Sequence, residues 1–512
     1  MNPGIAKQRL WYAGLICLTF AVPLCHAAPV QFDGPSLIST AADGADCVYA
    51  ADMDKDGDID VLSASWYDNK IAWYENTAGD GKSWNTHVIS TKAYYATGVF
   101  AADIDGDGDM DVVSSSWLDD KVAWYENEDG KGEKWQEHLV TRKANGANAV
   151  WAADIDGDGD QDILCASEQD KRITWYENTL NTSEKKGKGW VAHTITRQAG
   201  GACSVCVADI DGDGHPDVVS GSRKDDKAAW YRNKKGKGTS WAKRTITTMA
   251  AGVAWVAAAD MDGDGDTDVL TASRDDDRIS WYENVDKGVS WYPHIVTSWA
   301  DYALSVSPAD LDGDGDMDVV SASKFDNKVA WYENLDGKGN DWRAYEIDSK
   351  AKEAASVFCA DLDGDKRVDV LSAAMHGDTI AWYRNVGTLI TPPRPLTHGG
   401  SHYDNVLFDK GKAVPKPESL AGIEKVAEAL KRHPKDTVVA EGHANDSKDE
   451  AANLRLGERR AEAVKRYLVE HGIEQSRITV KSFGSSLPSA PDNTPANRKL
   501  NRRVVLDVAA GD

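Results

Sequence analysis

Twenty-eight aspartates, set four by four into seven short loops, are the residues of this chain best suited to chemistry. The sets are Asp52, Asp54, Asp56 and Asp60; Asp103, Asp105, Asp107 and Asp111; Asp154, Asp156, Asp158 and Asp162; and Asp209, Asp211, Asp213 and Asp217. They continue with Asp260, Asp262, Asp264 and Asp268; Asp310, Asp312, Asp314 and Asp318; and Asp361, Asp363, Asp365 and Asp369. Each reads D-x-D-x-D-G-x-x-D or departs from it slightly. Carboxylates at positions 1, 3, 5 and 9 of a tight loop supply hard oxygen ligands, and the carbonyl of position 7 completes the set. Four such charges repel one another unless a cation neutralises them. The chemistry implied is coordination of structural Ca2+, at up to seven sites.

An EF-hand would also need a bidentate Glu at position 12 and a helix after it. Position 12 is Ser63 in the first copy and Ser114 in the second, inside short apolar runs that read as strands. A single Asp-Gly run is an ordinary turn between strands; seven with registered carboxylates are not. Glycine at position 6 lets the backbone turn where a side chain would clash. The last copy has Lys366 in that slot and Arg367 after it, so it should bind most weakly. The fourth carries His215-Pro216 and keeps all four acids. Extracellular modules of this type hold calcium at about 10⁻⁴–10⁻³ M, which suits a structural ion better than a signal.

Successive loops start 51, 51, 55, 51, 50 and 51 residues apart. A strand-rich unit at that period marks a propeller or a similar closed array. After each loop come an apolar strand, a turn, and a strand ending in Trp-Tyr-Glu/Arg-Asn, from Trp73–Asn76 to Trp382–Asn385. A Gly/Lys-rich turn and a W-x-x-[HR]-x-[IVL] strand follow, with Tyr345 in the His slot of the sixth unit. The fold expected is mainly β, a seven-bladed β-propeller with four strands per blade. The repeated tryptophans should pack between blades, and His87, His138, His193 and His294 share that structural status. The seventh unit lacks its last strand, while Leu37-Ile38-Ser39-Thr40 precedes the first loop at the spacing such a strand requires. That strand can complete the last blade and remove exposed sheet edges.

These motifs resemble the FG-GAP/VCBS repeat family over about residues 31–386. The resemblance implies calcium loops on one face and partner binding on the other. By that analogy Trp66, Tyr67, Tyr94, Tyr95, Trp117, Trp299 and Tyr302 would face an unidentified protein or glycan partner.

Residues 1–27 read as a secretory signal peptide: Lys7 and Arg9, an apolar run from Leu10 to about Leu24, then small residues. No later stretch is long and apolar enough to span a membrane as a helix. Five cysteines follow the leader, an odd number on strand positions, and no disulfide framework is expected. The net charge is −25, and residues 401–512 are nearly balanced, so the excess belongs to the aspartate loops. Nucleic acid is excluded as a natural partner.

Residues 387–400 read as a Pro/Gly-rich linker. Beyond them, residues 401–512 alternate strands and helices, an α/β sandwich with apolar faces such as Leu420, Ile423, Ala427 and Leu430. Glu441-Gly442-His443-Ala444-Asn445, Asn453, Leu456, Arg459-Arg460-Ala461 and Asn501-Arg502-Arg503 resemble the OmpA-like peptidoglycan-binding domain. The resemblance implies binding of the peptidoglycan stem peptide by Asn445, Asp446, Asn453, Arg460 and Arg503. An aspartate and an arginine of that family clamp a diaminopimelate, carboxylate to ammonium and guanidinium to carboxylate. Arg460 matches the arginine. Asn445 stands where the aspartate is expected, with Asp446 beside it, and Gly457 replaces a usual serine.

The function expected is that of a secreted, non-catalytic envelope protein, periplasmic or outer-membrane-associated. The propeller would be an interaction platform tethered to the cell wall. An enzyme acting on polysaccharide needs symmetry-breaking acids or bases in one cleft; the visible departures are His376 and the insertion around Asn181–Lys188. A surface adhesin for a glycan or host is the other alternative.

Overall fold

The computed structural model describes residues 30–180, 189–388, 406–444, 450–484 and 501–509. The leader, the insertion after residue 180 and most of the linker lie outside these. Seven four-stranded antiparallel sheets occupy the chain up to residue 388. The first holds Ala45–Ala51, Asp60–Ser65, Lys70–Asn76 and Trp84–Ser90, in sequence order. Five more repeat that order. The seventh is built from Ala354–Ala360, Asp369–Ala374 and Thr379–Thr388, and its outer strand is Val30–Ser39 from the other end of the chain. Leu37 pairs with Ala381 there, so the early strand fills the place its spacing required.

The second strand of each sheet is buried at every residue, because a neighbouring sheet covers each face. Only small or β-branched side chains fit, hence Val-Leu-Ser-Ala-Ser and its variants. The innermost strands pack in cyclic order, each against the next, with Ala354–Ala360 against Ala45–Ala51. On the side of the aspartate loops, neighbouring sheets are tied by a repeated asparagine. Asn127 Nδ2 donates to Met53 O of the preceding sheet's aspartate loop at 3.0 Å, and Asn178 to Ile104 O at 2.7 Å. The pattern runs through Asn233, Asn284, Asn334 and Asn385 to Asn76, which reaches Leu362 O of the seventh sheet at 2.8 Å.

The tryptophans do pack between sheets. Trp73 Nε1 donates to Gly132 O, in the turn of the next sheet, at 3.2 Å. A Cβ on Gly132 would lie 2.4 Å from the Trp73 ring, so glycine is required there. His87 stacks on Trp73 at 4.4 Å and its Nε2 lies 2.9 Å from Glu75. His138, His193 and His294 repeat this against Glu126, Glu177 and Glu283. Tyr345 does the same work in the sixth sheet, stacking on Trp331 and donating to Glu333 at 2.7 Å. The five cysteines from Cys47 to Cys359 are free thiols.

The C-terminal sheet runs Val406–Leu407, Arg503–Ala509, Thr437–His443 and Ile478–Gly484, the last pair parallel. Helices α1 (Leu420–Arg432) and α2 (Glu450–Glu470) cover it around Ile423, Leu430, Val438, Val464 and Leu506. Gly457 of α2 crosses Gly442 of the sheet so closely that a Cβ on Gly457 would sit 2.5 Å from Gly442 O. A serine at 457 would need the helix to stand farther from the sheet here. Among the described residues no helix is long and apolar enough to cross a membrane.

The buried asparagine ties predict a measurable cost. Asn127→Ala leaves Met53 O and Met110 O without their donor and should destabilise the array by about 2–3 kcal/mol. Denaturant unfolding checks this; a change within error would show that the ties are dispensable.

Candidate functional site

Each aspartate loop joins the first strand of a sheet to the buried second strand. The structure brings positions 1, 3 and 9 together: Asp52, Asp54 and Asp60 each offer an oxygen, all within 4.8 Å of one another. Asp103, Asp105 and Asp111 do likewise, as do the third, fourth and fifth loops, with two further groups among the described residues. Asp56, at position 5, is not one of the three in that first group. Asp56 Oδ1 instead accepts from the Asp58 amide at 2.9 Å, shaping the turn.

Position 9 has a second task that the motif does not announce. Asp60 Oδ2 accepts from Met53 N at 3.0 Å, and Oδ1 from Asn76 N at 2.8 Å. The same two bonds recur at Asp111, Asp162, Asp217, Asp268, Asp318 and Asp369. This carboxylate closes the loop and pins it to the third strand. Burial raises Asp60 to about 7, against those hydrogen bonds, and Asp318 to about 9. Burial also raises Asp54, and Asp56, Asp52 and Glu75 raise it further. Asp52 Oδ1 and Asp156 Oδ1 are buried without a hydrogen-bond partner. Buried, mutually repelling, unpaired carboxylate oxygens are the environment a hard divalent cation relieves. Positions 1, 3 and 9 fit such an ion.

Two loops are different. Where five sheets carry Glu75, Glu126, Glu177, Glu283 and Glu333, the fourth has Arg232 and the seventh Arg384. Arg232 Nε lies 2.6 Å from Asp211 and its Nη2 donates to Asp213 at 2.9 Å. Arg384 pairs with Asp363 and Asp365, and Arg367 joins Asp365. These loops contain their own positive charge. In the seventh, Lys366 occupies the glycine slot at φ +71°, strained by about 1–2 kcal/mol.

In the C-terminal module, Arg460 is fully buried rather than poised at the surface. It donates to His443 O at 2.8 Å, Lys412 O at 3.0 Å and Asp409 O at 3.2 Å, with its guanidinium over the Phe408 ring. Asn453 and Arg503 are buried too, and burial pulls Arg503 down to about 10. Asn445 and Asp446 lie outside the described residues. Arg460 therefore secures the end of Thr437–His443, directly ahead of the segment in which those two stand.

A family model for FG-GAP-like repeats matches residues 52–114, 115–165, 154–220, 209–271, 260–321 and 311–372, and one for the OmpA family matches residues 407–502. The chain is an FG-GAP-like repeat protein with a C-terminal OmpA-family domain. Outer membrane porin F of Pseudomonas fluorescens is 39% identical over 106 residues, 21% of this chain and 32% of that protein. The Outer-membrane lipoprotein YfiB of Pseudomonas aeruginosa is 39% identical over 105 residues, 20% of this chain and 62% of that one. The chain thus spans between a third and two-thirds of these relatives. The crystal structure of the peptidoglycan-associated lipoprotein from Burkholderia pseudomallei is 30% identical, covering 20% of this chain and 88% of that one, with a TM-score of 0.20.

Within the FG-GAP-like repeats the Glu-to-Arg exchange yields a paired test under chelation. Arg384→Gln should lower the melting temperature by about 1–2 °C, because Asp363 and Asp365 lose its guanidinium. Glu75→Gln should shift it by less, since relief of the repulsion on Asp54 offsets the loss of the charge that His87 and Asn85 face. Thermal scans in a chelator check both; equal effects of the two substitutions would refute the contrast.

Proposed function

We propose that the seven sheets form a closed seven-bladed propeller, stabilised by calcium, that serves as a non-catalytic binding platform anchored to peptidoglycan by the OmpA-family domain. The cyclic asparagine ties support closure: the set is complete only because Asn76 reaches the seventh loop. We assign Ca2+ to the loops beginning at Asp52, Asp103, Asp154, Asp260 and Asp310. In those at Asp209 and Asp361, Arg232 and Arg384 stand in for the ion.

The OmpA-family match carries the envelope assignment. Relatives bear the names of outer-membrane proteins and lipoproteins, and one is peptidoglycan-associated. On this reading the mature protein is periplasmic, at the inner side of the outer membrane. Arg460 orders the mouth of the site from beneath, and Asn445 with Asp446 meets the stem peptide.

Co-sedimentation of the full chain with purified sacculi tests the anchor. The chain should pellet with sacculi, and Asn445→Asp should tighten binding by supplying a charge for an ammonium. Arg460→Ala should release it, though that variant also loses about 3 kcal/mol of domain stability through its orphaned carbonyls. No pelleting, or indifference to Asn445→Asp in a folded chain, would reject the anchor.

A further inference from the structure

Seven equivalent positions break the repeat most sharply. The residue following the buried second strand is Trp66, Trp117, Glu168, Arg223, Arg274, Lys324 and Met375 in turn, although the residue before it is Ser or Ala every time. All seven line one cavity of about 480 Å³. They sit at the end of that strand opposite the aspartate loop, so the cavity opens away from the loops. The second residue of each first strand also lines it: Asp46, Thr97, Asn148, Cys203, Ala254, Leu304 and Ala355. Packing alone asks the same residue of every copy at an equivalent place. A ring of unlike side chains around one cavity is what an asymmetric ligand asks.

The chemistry is sorted by sector. On one side Trp66 stacks on Tyr95 at 4.7 Å and 16°, with Trp117 at 6.0 Å. On the other stand Arg223, Arg274 and Lys324. The floor is an aromatic arc in which Tyr49 lies 4.7 Å from both Phe100 and Phe358, and Phe100 4.7 Å from Trp151. Arg223 is held in place: its Nη2 donates to Glu168 at 2.7 Å, and Glu168 accepts from Trp117 Nε1 at 3.0 Å. With the Asn148 amide oriented to satisfy its neighbours, its oxygen accepts from Arg223 at 3.0 Å. The Arg223 Nε is buried and has no partner. Burial raises the Asp46 carboxyl to about 7, against the pull of Arg223 and Lys324; Arg274 Nε also lies 3.0 Å from Asp275 and Lys324 Nζ 2.8 Å from Glu353.

We propose that this axial cavity binds a carboxylated sugar, its ring face against Trp66 and Trp117 and its carboxylate on the Arg223–Arg274 side. The volume suits one or two sugar rings. An aromatic wall supplies contact area for a ring's C–H face, and a pre-ordered guanidinium supplies directed donors for a carboxylate. Asp46, Thr97 and Asn148 offer partners for hydroxyls. An acidic peptide would use the cations and leave the aromatic sector without purpose. The inference gives a ligand class to the platform face and so rests on the propeller reading, while being independent of the peptidoglycan anchor.

Calorimetric titration of the full, calcium-loaded chain with a glucuronate-terminated disaccharide tests it, beside the neutral glucose counterpart and a Glu-Glu-Glu peptide. The glucuronate probe should bind at least about tenfold tighter than the other two. Trp66→Ala and Arg274→Gln should each weaken it by about tenfold or more, with melting temperature and sacculus binding kept. Arg274 supports no other cavity residue by hydrogen bond, so it reports the ligand where Arg223→Gln would also disturb Glu168. Equal binding of the neutral sugar, preference for the peptide, no binding of the glucuronate probe, or indifference to both substitutions would overturn the proposal. Sacculus binding that persists in that case leaves the anchor standing.

Discussion

The structure depends on a buried carboxylate that starts the second strand of every sheet. Asp60 and its counterparts accept from the second amide of their own loop and, in all seven sheets, from the amide of the third strand's asparagine. Neutral side chains could not hold both bonds as acceptors at full strength, yet an ionised group so buried is costly. Bringing positions 1 and 3 alongside increases that cost. On the calcium reading proposed above, a divalent ion would turn that liability into a clamp, while the same loop presents its second carbonyl to the next sheet's asparagine. Loop closure and sheet-to-sheet attachment are one device.

Much of this was legible in the residues. The period of the aspartate sets predicts repeated four-stranded units, and the strand spacing ahead of Asp52 predicts that the early segment completes the last sheet. Both follow from local pattern. The double use of position 9 was not legible, because one of its partners lies sixteen residues away on another strand and becomes visible only when the register is known. The asparagine of Trp-Tyr-Glu-Asn was read as a strand end, while its side chain in fact bridges sheets. The arginines of Trp-Tyr-Arg-Asn were in plain view. Their meaning needed the geometry that sets the third strand's penultimate residue against position 3 of the loop.

Replacement by function rather than by shape recurs. Tyr345 substitutes for histidine by keeping both a flat ring for Trp331 and a donor for Glu333. Arg232 and Arg384 bring positive charge to the carboxylates of their loops, where the other five sheets carry a glutamate. In the C-terminal domain, Arg460 matches a ligand-binding motif and also donates to three main-chain carbonyls, so its removal would cost fold stability as well. The axial cavity was hidden for another reason. Its lining comes from seven positions about fifty residues apart, and scattered differences among repeats look like noise until the inner strands bring them together.

Thermal unfolding of the full chain, in saturating calcium and again after chelation, tests the central claim most directly. The account predicts a large fall in the melting temperature of the repeat array on chelation, restored by calcium, with the OmpA-family transition unmoved. A repeat-array transition that stays in place without calcium would contradict it.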